Sequence, residues 1–104
     1  IDRARGSSQS ICAWATSDKT GISMKMYTTQ PGIQLYTGNF LQDCPSPGKG
    51  SVPLEKYGGF ALETQHFPCS PSHPEFPTTV LRAGKVFRAN TTLRFFTGRQ
   101  CGRL

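Results

Sequence analysis

Residues 86–96 read VFRANTTLRFF, and the alternation in this run decides the class of fold. Phe87, Ala89, Thr91, Leu93 and Phe95 fall on one side of an extended chain, opposite Val86, Arg88, Asn90, Thr92 and Arg94. A two-residue period rich in aromatic and branched side chains marks a half-buried strand of an antiparallel sheet. Working outward, ICAWAT (residues 11–16) and ISMKMYTT (22–29) flank the turn signal Ser17-Asp18-Lys19-Thr20-Gly21, which reads as a β-hairpin. IQLYTGN (33–39) and GGFALETQ (58–65) supply two further strands. Between them, Gln30-Pro31-Gly32, QDCPSPGKGSVP (42–53) and PCSPSHPEFP (68–77) break the pattern, because proline removes a ladder donor and glycine admits positive φ. The first ten residues are polar loop, and neither a helical period nor an internal repeat appears. The chain reads as all-β and antiparallel.

Composition agrees. Hydrophobic residues make up 36%, and 11 glycines and 8 prolines suit short strands joined by turns. The net charge is +6, and residues 81–104 hold Arg82, Lys85, Arg88, Arg94, Arg99 and Arg103 without an acid. Such a stretch can attract phosphates. No zinc-finger spacing or aromatic RNA-binding signature accompanies it, so a solvated face and no nucleic-acid partner are expected. Cys12, Cys44, Cys69 and Cys101 form no Cys-x-x-Cys pair, so no metal site is expected and free thiols are. No run approaches the ~18 apolar residues of a membrane span. The chain opens at Ile1 without Met, so a missing N-terminus is expected, and without a visible leader the expectation is a cytoplasmic protein with no membrane partner. Asn90-Thr91-Thr92 matches a glycosylation sequon, expected to be accidental inside a strand.

Strand geometry sorts the polar residues. In GFALETQ, Ala61, Glu63 and Gln65 project away from Phe60, Leu62 and Thr64. In IQLYTGN, Gln34 and Tyr36 share a face opposite Ile33 and Leu35. If the two strands are neighbours, a carboxylate, an amide and a phenol line one cleft. That set suits a sugar, whose hydroxyls need paired donors and acceptors and whose C–H face needs an aromatic.

Four blocks then resemble the C-terminal part of the aldose 1-epimerase (galactose mutarotase) family, in the family's order. They are YTTQPGIQLYTGNFL (27–41), KYGGFALETQHFP (56–68), FPTTVLRAGKVF (76–87) and TTLRF (91–95). The resemblance implies a portion, residues 1–96, of the family's large antiparallel β-sandwich, with residues 97–104 as an irregular tail. It implies interconversion of the α and β anomers of an aldohexose such as galactose or glucose, without metal or cofactor. The Glu of the LETQ block, here Glu63, would be the general base. The Gln of the PGIQ block, here Gln34, would contact the sugar, and Asp2 would be the remnant of a second sugar contact.

The resemblance also exposes departures. The family's paired histidines lie upstream of these blocks, and this chain has only His66 and His73. His66, three residues after Glu63, is expected to face the other way, and His73 to lie on the surface of the proline-rich connection. The expectation is therefore a part-enzyme, inactive alone because its histidine acids are missing. Phe67-Pro68-Cys69 stands where the family continues Phe-Pro-Asp, and LRAG (81–84) where it has LRPG. The alternatives are a non-catalytic carbohydrate-binding or regulatory module and, more distantly, a basic nucleic-acid binder. The sequence gives no oligomeric state.

Overall fold

A computed structural model describes residues 8–97. Its strands are β1 (Ser10–Thr16), β2 (Ile22–Thr28), β3 (Gly32–Tyr36), β4 (Ala61–Gln65) and β5 (Thr91–Thr97), joined by loops with short 3-10 turns at Leu41–Asp43, Lys49–Ser51 and Ser70–Ser72. All pairings are antiparallel. One sheet runs β1-β2-β5 and the other is the β3-β4 pair. Among the described residues no helix is long and apolar enough to cross a membrane.

The hairpin forms where the turn signal stood. Ser17 N donates to Ile22 O at 2.9 Å and Gly21, at φ +70°, closes the turn through Ser17 O. The β1-β2 register slips between Ile11 and Ala13, leaving Cys12 as the extra residue of a bulge. β2 pairs along its whole length with β5, from Ile22↔Thr97 to Thr28↔Thr91. On one face, Trp14, Lys25 and Arg94 line up across the three strands. The Lys25 ammonium lies 4.5 Å from the Trp14 ring centroid and 5.7 Å from that of Phe96, and the Arg94 guanidinium lies 5.6 Å from Tyr27. Aromatic rings so placed favour the cations over their faces.

The other face of this sheet carries Ala13, Ala15, Met24, Met26, Leu93 and Phe95 and turns toward the β3-β4 pair. Between the sheets lie two open apolar hollows. One, of about 410 Å³, is lined by Ala13, Ala15, Ile33, Leu35, Phe60 and Leu62, and the other, of about 280 Å³, by Ile22, Met24, Phe60 and Phe95. Met26 is the one fully buried apolar residue among those described, while Phe95 stays 65% exposed and Leu35 60%. The two layers face each other without closing over their apolar residues.

A hydroxyl chain ties them together at one end. Thr64 Oγ1 of β4 lies 2.8 Å from Thr91 Oγ1, which lies 3.3 Å from Thr28 Oγ1, and Thr28 donates to the Asn90 carbonyl at 3.3 Å. Each hydroxyl has one hydrogen, so the chain runs in one direction from Thr64 to the Asn90 carbonyl. Thr28 is 1% exposed, and Gln30 N also donates to its Oγ1.

Two expectations need correction. Residues 86–90 are not strand, and β5 starts only at Thr91, because the β2 ladder ends at Thr28; Asn90 bonds Thr29 just beyond it, and residues 86–89 pair with no strand. Asn90 accordingly precedes the strand rather than lying inside it. On β5, Leu93 and Phe95 lie on the more exposed face. Thr92 and Phe96 on the opposite side are the half-buried members of β5: the Lys25 ammonium lies over Phe96, and Thr92 Oγ1 donates to Gln9 Oε1 at 3.1 Å. Thr97, expected to begin the tail, is the last residue of β5. The tail beyond it and Asp2 lie outside the described residues.

Candidate functional site

Of the three expected site residues, Gln34 and Glu63 sit on the two-stranded pair. Gln34 stands directly opposite Glu63, Gly32 opposite Gln65, Leu35 opposite Leu62 and Tyr36 opposite Ala61. Cross-strand partners share a face, and neighbours along a strand alternate. Thr64 reaches the other sheet through Thr91, so Glu63 and Gln65 on either side of it point away from that sheet. The carboxylate and amides therefore occupy the face of β3-β4 turned from the apolar hollows. Glu63 and Gln34 are both exposed. Side chains directly opposite each other stand roughly 4.5–5.5 Å apart at Cβ, close enough for one hydroxyl group to touch both.

Gly32 and Phe67 shape one end of this face. A Cβ on Gly32 would meet the Phe67 ring at 3.0 Å and the Gln65 carbonyl at 3.2 Å. The chain after β4 thus crosses over the start of β3, and only glycine leaves room. Beside this crossing is a hollow of about 300 Å³, lined among others by Gly32, Gln34, Gln65, His66 and Phe67. Gln65 Nε2 donates to Gln34 Oε1 at 3.4 Å across it. Glu63 does not line this hollow; it stands on the open face beside it.

At the other end, Tyr36 Oη accepts from Phe40 N at 3.0 Å, which engages the phenol in the β3 exit turn. Gly38, at φ +76°, accepts at its carbonyl oxygen from Tyr57 N at 2.8 Å and lies so close to Gly59 that a Cβ would run into the Gly59 carbonyl. The long loop is pinned back against the strand ends in this way.

His66 is half-buried at the end of β4, its ring 6.3 Å from that of Phe87, and it borders the Gln34 hollow on one side and one lined by Thr78, Leu81 and Phe87 on the other. His73 is exposed in the proline-rich connection, paired with Glu75 at 2.9 Å and stacked on Phe76 at 4.8 Å. Cys12, Cys44 and Cys69 are free thiols, and Cys101 lies outside the described residues. Among the described residues no three His, Cys, Asp or Glu side chains come together as a metal site would need.

The strand reading put Glu63 and Gln34 on one face only on the condition that their strands are neighbours, and the structure pairs those strands. It missed the Gln65–Gln34 bond and the Thr64–Thr91–Thr28 chain. The only sequence signal for the latter is a pair of adjacent threonines at each strand end, Thr28-Thr29 and Thr91-Thr92.

The described chain is a β protein of antiparallel layers with a carboxylate and two amides on one open face. The model of the family described as aldose 1-epimerase matches residues 2–94. Galactose mutarotases of Mus musculus and Homo sapiens are each 41% identical over 85 residues, 82% of this chain. The aldose 1-epimerase of Escherichia coli (strain K12) is 37% identical over 95 residues, 89% of this chain. The chain belongs to the aldose 1-epimerase family. It spans about a quarter of the length of these relatives, 25% of the mouse protein and 27% of the bacterial one.

Proposed function

We propose that this chain carries the base-bearing part of a mutarotase site acting on an aldohexose such as galactose or glucose. Glu63 is the general base, and Gln34 and Asp2 hold the sugar. The observation behind this reading is the direct pairing of Gln34 with Glu63 on the face turned away from the apolar interior. Family membership and the mutarotase names of the relatives support the same chemistry.

The reaction needs two proton movements. The C1 hydroxyl gives its proton to the Glu63 carboxylate while its electron pair forms the C1 carbonyl. The bond from C1 to the ring oxygen breaks, and that oxygen takes a proton from an acid. Rotation about C1–C2 and reversal of both transfers close the ring on the other face. Glu63 is exposed and can meet a hydroxyl without displacing a protein partner. The acid is taken to be one of the upstream histidines that the family resemblance implies; of this chain's own two, His73 is paired with Glu75 and stacked on Phe76, and His66 borders the Gln34 hollow, which Glu63 does not line. Alone, the chain is inactive; joined to the upstream part of a relative, it is competent.

A chimera tests this. The upstream three quarters of the Escherichia coli relative, followed by this chain, should accelerate the optical drift of freshly dissolved α-galactose. Glu63→Gln should lower that rate by roughly 10²–10⁴-fold. A chimera whose rate is untouched by Glu63→Gln contradicts the assignment of the base. One that binds galactose without turnover would make the chain a carbohydrate-binding module instead.

A further inference from the structure

Gln65 lies two residues along β4 from Glu63, on the same face, and its Nε2 donates to Gln34 Oε1. A carboxamide has an acceptor end and a donor end. With Oε1 engaged by Gln65, the end of Gln34 left to face a ligand is its Nε2, with two hydrogens. Gln34 is also directly opposite Glu63, which in its ionised form only accepts. The face therefore presents a donor beside an acceptor, with their polarity set by a third side chain that nothing so far has given a role.

We propose that Gln65 is a positioning residue that holds Gln34 as a hydrogen-bond donor, so that a ligand hydroxyl accepts at its oxygen from the Gln34 amide and donates its hydrogen to the Glu63 carboxylate. The inference rests on Gln34 and Glu63 being the sugar-facing pair. Its chemical consequence is specific. As a hydroxyl between the two surrenders its proton to Glu63, its oxygen gains negative charge, and an amide N–H stabilises that charge where an amide carbonyl would oppose it. The reversed amide would place two acceptors side by side and repel the oxygen.

Three variants of the full chain separate orientation from bulk and charge. Gln65→Glu can only accept, so Gln34 must turn its Nε2 inward and present Oε1. Gln65→Met removes the donor without adding charge, and Gln65→Lys keeps a donor. Galactose affinity, read from shifts of backbone amide signals during titration, should fall roughly fivefold or more in Gln65→Glu, fall less in Gln65→Met, and stay within about twofold in Gln65→Lys. In the absence of sugar, the Gln34 side-chain amide hydrogens should move downfield in Gln65→Glu, where they bond a carboxylate, and stay in place in Gln65→Lys.

Equal affinities for the unaltered chain and Gln65→Glu, or Gln34 amide signals that ignore all three substitutions, overturn the proposal. If galactose moves no signal of the unaltered chain, the sugar reading is what fails, and the Gln34 amide signals still decide the orientation.

Discussion

The two sheets differ in how they are held: the larger carries the buried residues, and the smaller the candidate site. The β1-β2-β5 sheet pairs β2 along its full length on both sides, buries Met26, Ser23 and Thr28, and bridges its outward face with cations over rings. The β3-β4 pair is two strands of five residues each, and it carries Glu63, Gln34 and Gln65. A two-stranded ribbon is marginal by itself in water. It holds its place through three attachments: the Phe67 crossing over Gly32, the Gly38–Gly59 contact, and the threonine chain to the larger sheet. The precision of the candidate site thus comes from tethers to neighbours rather than from the ribbon's own ladder.

That division can be broken from the ribbon's side first. Gly38→Ala puts a Cβ into the Gly59 carbonyl at a left-handed backbone position, and should cost about 3 kcal/mol in urea unfolding. Hydrogen exchange should show β3 and β4 losing protection while β2 keeps it. Equal losses in both sheets would mean that they open as one unit.

Cutting the threonine chain is the next step down. Thr28→Val keeps shape but removes the acceptor for Gln30 N, the partner of Thr91 and the donor to Asn90 O. About 2 kcal/mol of destabilisation is expected, since buried groups lose partners on three sides. A double-mutant cycle with Thr64→Val should show coupling between β4 and β2, although they are not ladder neighbours.

On the larger sheet, Lys25→Met removes the cation between Trp14 and Phe96 and should cost only about 0.5–1 kcal/mol in thermal melting. The ribbon's galactose response should be unchanged.

The smallest effect is a pH dependence. Burial pushes the Cys12 thiol above its ordinary value. The folded chain then keeps the proton where the unfolded chain releases it. The contribution is fully present below the unfolded pKa and is lost as pH rises through the folded one. Melts taken from neutral to alkaline pH should decline a little less steeply in Cys12→Ala than in the unaltered chain.

Alternation along the chain revealed most of the strands and the side on which Gln34 and Glu63 each stand, while their common face came only with the β3-β4 pairing. It did not reveal where pairing stops. VFRAN at residues 86–90 alternates as well as the residues after it, yet has no strand beside it, because Pro31 and Gly32 have already turned the chain away from β2. Alternation likewise says which residues share a face but not which face is covered, and Leu93 and Phe95 remain open while Phe96 is sheltered by Lys25. The Gln65–Gln34 bond depends on a diagonal between paired strands, and that register is a property of the fold rather than of either segment.

The account turns on which side of the β3-β4 ribbon meets the sugar, and a galactose titration of the isotopically labelled chain measures that directly. The Glu63 carboxyl carbon and the Gln34 side-chain amide should shift together and saturate at one concentration, with the methyl signals of Ile33, Leu35 and Leu62 unmoved. Shifts confined to those methyls, or a Glu63 signal indifferent to sugar while the apolar side responds, would contradict it.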